Sequence, residues 1–114
     1  MPYLRIQTNL TVDEAHKQAL LSDASALVAK ALGKPESYVM VSFAPQQPML
    51  FAGSDAPCAY LELKSIGLPD GKTPEISAEL CKLLEQEMDI PSNRIYIEFA
   101  DAPRAMWGWK GATF

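Results

Sequence analysis

Four stretches of the chain place apolar residues with the spacing of strands, and two longer ones place them with the spacing of helices. Residues Tyr3 to Thr8 read as a strand opened by Pro2, and Asn9 to Thr11 as a turn. Thr11 with Glu14 three positions on has the form of a capping box. It predicts a first helix to about Leu32, with Leu20, Ala24, Leu27, Val28 and Leu32 on its apolar face. Gly33 supplies a left-handed stop and Pro35 blocks continuation. Tyr38 to Ala44 reads as a second strand, with Val39, Val41 and Phe43 on one side and Tyr38, Met40 and Ser42 on the other. Both sides are apolar enough to be covered. Pro45 to Pro57 reads as a loop with a short edge segment around Met49 to Ala52, and Cys58 to Ser65 as a third strand. Gly67, Pro69 and Gly71 constrain the next loop. A second helix follows over Pro74 to Met88, with Ile76, Leu80, Leu83, Leu84 and Met88 on its apolar face. After Pro91, Arg94 to Ala100 reads as a fourth strand, and the aromatic tail from Met106 onward as a short edge strand.

The two halves repeat. Pro35 and Pro91 stand 56 positions apart, and the same offset carries Val39 onto Ile95, Val41 onto Ile97, Phe43 onto Phe99 and Ala44 onto Ala100. It also carries Leu20, Ala24, Leu27, Val28 and Leu32 onto Ile76, Leu80, Leu83, Leu84 and Met88. With one further residue of offset, Tyr3, Leu4 and Ile6 fall on Tyr60, Leu61 and Leu63. The chain therefore reads as a doubled β-α-β unit, residues 2–56 and 57–105, with a tail at 106–114. Each unit should hold its two strands parallel through a right-handed crossover. The fold class that follows is α+β, a four-stranded mixed sheet with both helices on one face. The other face is bare, and a second copy of the same sheet is its simplest cover, which predicts a closed homo-oligomer.

Composition narrows the function classes. A chain of 114 residues fits one domain with a modest core, and 48% hydrophobic with 21% charged residues is ordinary for a folded soluble protein. A net charge of −4 argues against nucleic acid, which needs clustered Lys and Arg. No apolar run reaches the length of a membrane span, and no basic region followed by an apolar stretch opens the chain. The default location is the cytoplasm. Cys58 and Cys81 are too few for a disulfide framework or a zinc site and read as small, reduced core residues. His16, the one histidine, lies in a polar part of the first helix and reads as solvent-facing. No set of metal ligands is apparent.

The opening dipeptide carries the candidate chemistry. Removal of Met1 ahead of a small residue would leave the secondary amine of Pro2 at the start of a strand. A free α-amino group titrates at about 7.7 to 8.0. Burial at the mouth of an apolar pocket and a neighbouring cation would both lower that value and favour the basic form. The plainer reading is that proline suits the first residue of an edge strand.

In order along the chain, Pro2, Thr8-Asn9, Gly33-Lys34-Pro35 with Tyr38, Gly53-Ser54, Pro57-Cys58-Ala59, Ser65-Ile66-Gly67, Arg94-Ile95-Tyr96-Ile97, Gly108-Trp109 and Thr113-Phe114 carry a family pattern. Over its whole length the chain resembles the macrophage migration inhibitory factor branch of the tautomerase superfamily. The resemblance implies a homotrimer whose sheets wrap a central channel, with active sites at subunit boundaries. It implies keto–enol tautomerisation of phenylpyruvate-like α-keto acids and isomerisation of dopachrome-like compounds, without a cofactor. Pro2 takes the place of the base, and Lys34 that of the cation holding the substrate carboxylate or enolate oxygen. For Lys34 the plain reading is a cation favoured at a helix C-terminus. Ser65 and Ile66 map onto a loop beside the proline where a backbone amide binds a substrate oxygen. Tyr38, Tyr96, Trp109 and Phe114 map around the substrate ring, several of them from the neighbouring subunit. Their plain reading is packing at a subunit interface.

Three departures bear on the transfer. Glu98 stands where mammalian members have an asparagine that helps to bind substrate, and its charge should weaken acidic ligands or raise the base's pKa. The Cys-x-x-Cys motif is broken, since Leu61 stands three positions after Cys58, so no thiol redox activity is expected. Trp107 replaces a smaller residue near the pocket. Two other readings stand beside the enzyme. One is a cytokine-like ligand of a surface receptor, exported by a non-classical route, and the other is a catalytically silent trimer.

Overall fold

The structure, a computed structural model, describes residues 1–114. Four strands, β1 (Tyr3–Thr8), β2 (Met40–Ala44), β3 (Ala59–Ile66) and β4 (Ile95–Ala102), form one sheet in the order β2-β1-β3-β4. β1 runs parallel to β2 and β3 parallel to β4, while β1 and β3 meet antiparallel at the centre, with Leu4 opposite Leu63 and Ile6 opposite Leu61. Two helices, α1 (Glu14–Leu32) and α2 (Thr73–Met88), cover one face. The sheet is mixed, as the doubled pattern predicts.

One core fills the space between the layers. Leu4 and Ile6 of β1 and Leu61 and Leu63 of β3 meet Leu20, Ala24 and Val28 of α1 and Ile76, Leu80 and Leu84 of α2, all essentially without exposure. The alternation in the strands and the three-to-four spacing in the helices put these residues on facing surfaces. Thr8 and Ser65 are the buried polar residues, and Thr8 links two strands. Its hydroxyl donates to the Cys58 carbonyl at 2.7 Å, which ties the end of β1 to the start of β3.

Residues 56 apart hold matching places. Gly33 after α1 and Asp89 after α2 are both left-handed, with φ of 62° and 55°. Pro35 and Pro91 each open a 3-10 turn, Glu36–Tyr38 and Ser92–Arg94, closed by Tyr38 N to Pro35 O at 3.0 Å and Arg94 N to Pro91 O at 2.9 Å. Those turns are why β2 begins at Met40 rather than Tyr38, and β4 at Ile95 rather than Arg94.

Other expectations are corrected. The first helix is capped by Asp13, whose carboxylate accepts from the His16 amide at 2.8 Å and His16 Nδ1 at 2.7 Å, and not by Thr11. An anionic cap at a helix N-terminus is favoured by the dipole, and Thr11 instead accepts from Gln46 Nε2. Around Met49 to Ala52 there is one bridge, Phe51 with Ser54, and no strand. The tail does not join the main sheet. It forms its own hairpin, β5 (Gly108–Trp109) with β6 (Ala112–Thr113), closed by left-handed Lys110 and Gly111. The helix-free face is also not uniformly apolar. At its centre Glu62 lies between Arg5 (3.7 Å) and Lys64 (3.4 Å), and exposed apolar side chains sit at its margins, Met40 on β2 and Tyr96 on β4.

Candidate functional site

The start of β1 is held where three segments converge. The Pro2 carbonyl accepts from the Met40 amide at 2.9 Å, which locks Pro2 beside β2, and its side chain is fully buried. With Met1 in place the Pro2 nitrogen is an amide, and the free amine is that of Met1. This amine donates to the Tyr38 carbonyl at 2.9 Å. It is held below the ordinary α-amino value by partial burial first and by the Lys34 ammonium second. Lys34 is brought there by the helix stop. Left-handed Gly33 reverses the chain, and the Lys34 amide donates to the Ala29 carbonyl at 2.9 Å, which sets the residue just beyond the end of α1.

The tail supplies the opposite wall. Trp109 stacks on Phe114 with ring centroids 5.3 Å apart and 9° between planes, and Tyr38 meets both edge-on at 5.6 and 6.1 Å. The Phe114 amide donates to the Trp107 carbonyl at 3.1 Å, and Arg104 Nε donates to the Phe114 carbonyl at 3.0 Å. The result is a cavity of about 250 Å³ with Met1, Pro2, Tyr38, Trp107, Trp109 and Phe114 among its lining residues. Apolar walls around an amine next to a cation can hold a ring-bearing anion and lower the amine's proton affinity.

Of the residues singled out from the sequence, Pro2, Tyr38, Trp109 and Phe114 come together here, and Lys34 lies outside the lining but close enough for its charge to act on the N-terminal amine. Ser65 and Ile66 end β3 next to the start of β1, one step beyond the pairing of Tyr3 with Lys64. Both are buried, and the Ser65 hydroxyl donates to the Ile66 carbonyl at 3.3 Å. Tyr96 and Glu98 lie elsewhere, on the helix-free face of β4. Tyr96 packs on Phe51 at 4.7 Å and lines an apolar groove of about 290 Å³ with Met49, Leu50 and Tyr60, sharing no residue with the Pro2 cavity. Glu98 stands in register with Glu62. The Tyr60 hydroxyl between them is pushed above its ordinary value, by desolvation and then by Glu98 and Glu62.

Sequence reasoning missed Ser37 and Met40 as lining residues, while Trp107, expected near the pocket, is part of its wall. Ser37 and Met40 carry no signal of their own, because their place at the cavity follows from the 3-10 turn at residues 36–38 and the start of β2 beside Pro2. Phe51 was also missed. Its partner Arg94, in a quoted motif, was the available clue.

The family model described as macrophage migration inhibitory factor (MIF) matches residues 1–114. The chain is 48% identical to a macrophage migration inhibitory factor homolog of Brugia malayi, over all of this chain and 99% of that protein. It is 43% identical to the macrophage migration inhibitory factor of Xenopus tropicalis, with the same coverage. Among solved structures, the macrophage migration inhibitory factor homologue of Prochlorococcus marinus superposes with a TM-score of 0.93 at 43% identity, covering 98% of each chain.

Proposed function

The chain belongs to the macrophage migration inhibitory factor family, and from that premise we propose that it is a cofactor-independent keto–enol tautomerase of phenylpyruvate-like α-keto acids. Dopachrome-like compounds are a second substrate class. The carrying observation is the buried Pro2 at an aromatic-walled cavity, where an N-terminal amine already feels Lys34. Once Met1 is removed, the Pro2 amine inherits that setting. It takes a proton from the carbon next to the substrate carbonyl, and the Lys34 ammonium holds the enolate oxygen or the carboxylate. The proton is then delivered to the enolate oxygen, which gives the enol, regenerates the amine and consumes no cofactor. A base with a pKa brought near the working pH, together with a preorganised cation, supplies the main terms of such catalysis.

The working unit is a homotrimer in this reading. Exposed Met40, Leu50, Tyr96, Met106 and Trp109 are more apolar surface than a monomer of this size needs, and Tyr96 reaches a substrate only from a neighbouring copy. Ser65 and Ile66 offer backbone groups beside the base.

The test pairs N-terminal mass spectrometry with enolisation assays. Protein beginning at Pro2 should turn over phenylpyruvate, while Pro2→Gly and a form retaining Met1 should lose about a hundredfold or more at unchanged fold. Equal rates in the three proteins would remove Pro2 as base.

A further inference from the structure

Arg94 occupies an unusual position. Its guanidinium uses four donors on backbone carbonyls of a single loop: Nε to Pro57 at 2.9 Å, Nη1 to Phe51 at 3.1 Å, and Nη2 to Ser54 at 3.1 Å and Ala56 at 3.0 Å. The same group lies 5.2 Å from the centroid of the Phe51 ring. That loop needs an outside hold. Phe51 and Ser54 exchange two backbone hydrogen bonds at 3.0 Å around Ala52 and Gly53, which have φ of 53° and 73°. Gly53 adopts that conformation freely, but an alanine in the left-handed region is disfavoured, so the turn is opposed by its own sequence. Charge-assisted bonds to the carbonyls on both sides of the turn offset that cost.

Two residues beyond Arg94, on β4, stands Tyr96, and the ring held against it is that of Phe51, 4.7 Å away with 49° between planes. We infer that Arg94 is a positioning residue for substrate selection: by clamping the Phe51–Pro57 loop it fixes Phe51 on Tyr96, and so sets the aromatic wall that Tyr96 offers to a ring-bearing substrate in a neighbouring copy's cavity. This rests on the tautomerase reading above. Pro2, which moves the proton, lies in a different cavity, and neither it nor Lys34 is touched by the clamp.

The test compares Arg94→Lys with the parent protein, both processed to Pro2, on phenylpyruvate and on the aliphatic 4-methyl-2-oxopentanoate. For phenylpyruvate KM should rise about five- to tenfold with kcat within about twofold, and KM for the aliphatic acid should stay unchanged. Hydrogen exchange in residues 51–57 should accelerate. Adding Ala52→Asn, which suits the left-handed turn, should recover part of the KM for phenylpyruvate. Equal effects on both substrates, no effect on KM, or unaltered exchange in the loop would overturn the inference while leaving the tautomerase in place. A parent protein that turns over neither acid would overturn the tautomerase reading and take the substrate claim with it. If Arg94→Lys does not fold, Phe51→Ala with Arg94 intact must give the same selective rise in KM, and its absence would overturn the claim.

Discussion

Replacing Trp109 by alanine should unlatch the tail without unfolding the core. Trp109 is 51% exposed, so about half of a tryptophan's roughly 200 Å² is buried, on the order of 100 Å² and about 2.5 kcal/mol at about 25 cal/mol per Å². The stack on Phe114 and the edge contact with Tyr38 add about 0.5 kcal/mol at this half-exposed site. A hairpin with two residues per strand is marginal by itself, so a loss of about 3 kcal/mol removes most of what docks it. In contrast, none of the buried core residues lies beyond Ile95, and the main melting transition should move little. Hydrogen exchange followed by mass spectrometry gives the measure: protection at the Phe114 amide, bonded to the Trp107 carbonyl, should fall about a hundredfold. Trp109→Phe, which keeps the stack, should fall less. Tail protection unchanged in Trp109→Ala would refute the claim that the aromatic cluster holds the wall of the Pro2 cavity.

Two further outcomes test the framework. The Glu87 carboxyl is raised to about 7 by partial burial, then by Asp23 across from it on α1, with His16 opposing, and Asp13 and Asp89 line the same cavity. The folded protein therefore keeps a proton that the unfolded chain releases. The Glu87 contribution to stability should be fully present below about pH 4.5 and be lost as pH rises to about 7, amounting to on the order of 1 kcal/mol because solvent screens the pair, and Glu87→Gln should flatten urea midpoints over that window. Separately, Asp89→Gly should raise the unfolding free energy measured in urea by about 0.5 to 1.5 kcal/mol, since Asp89 is left-handed with φ of 55° and puts a negative charge at the C-terminus of α2. A lower midpoint would mean that its side chain makes a contact outweighing both costs.

Much of the architecture was legible because local and periodic signals agree with the global packing. Gly33 stops α1 in the left-handed conformation, as a glycine ahead of Lys-Pro predicts, and the 56-residue offset reappears in Asp89 and in the turns after Pro35 and Pro91. Where signals competed, the sequence reading slipped. Thr11 and Asp13 both offer an N-cap within three residues, and the winner depends on where His16 falls once the helix has formed.

By itself, the sequence determined the alternating strands, the two apolar helix faces, the doubled unit and hence the mixed sheet, because each follows from spacing along the chain. It also marked Pro2 and Lys34. Only the tertiary structure decided that the tail folds on itself and meets Tyr38, that the centre of the open face is an ion cluster, and that Tyr96 lies in a separate groove against Phe51, whose loop Arg94 holds. These depend on contacts made by loops and single side chains that no periodicity encodes, some of them between residues far apart in the chain, as where Arg94 reaches Phe51 and Ser54.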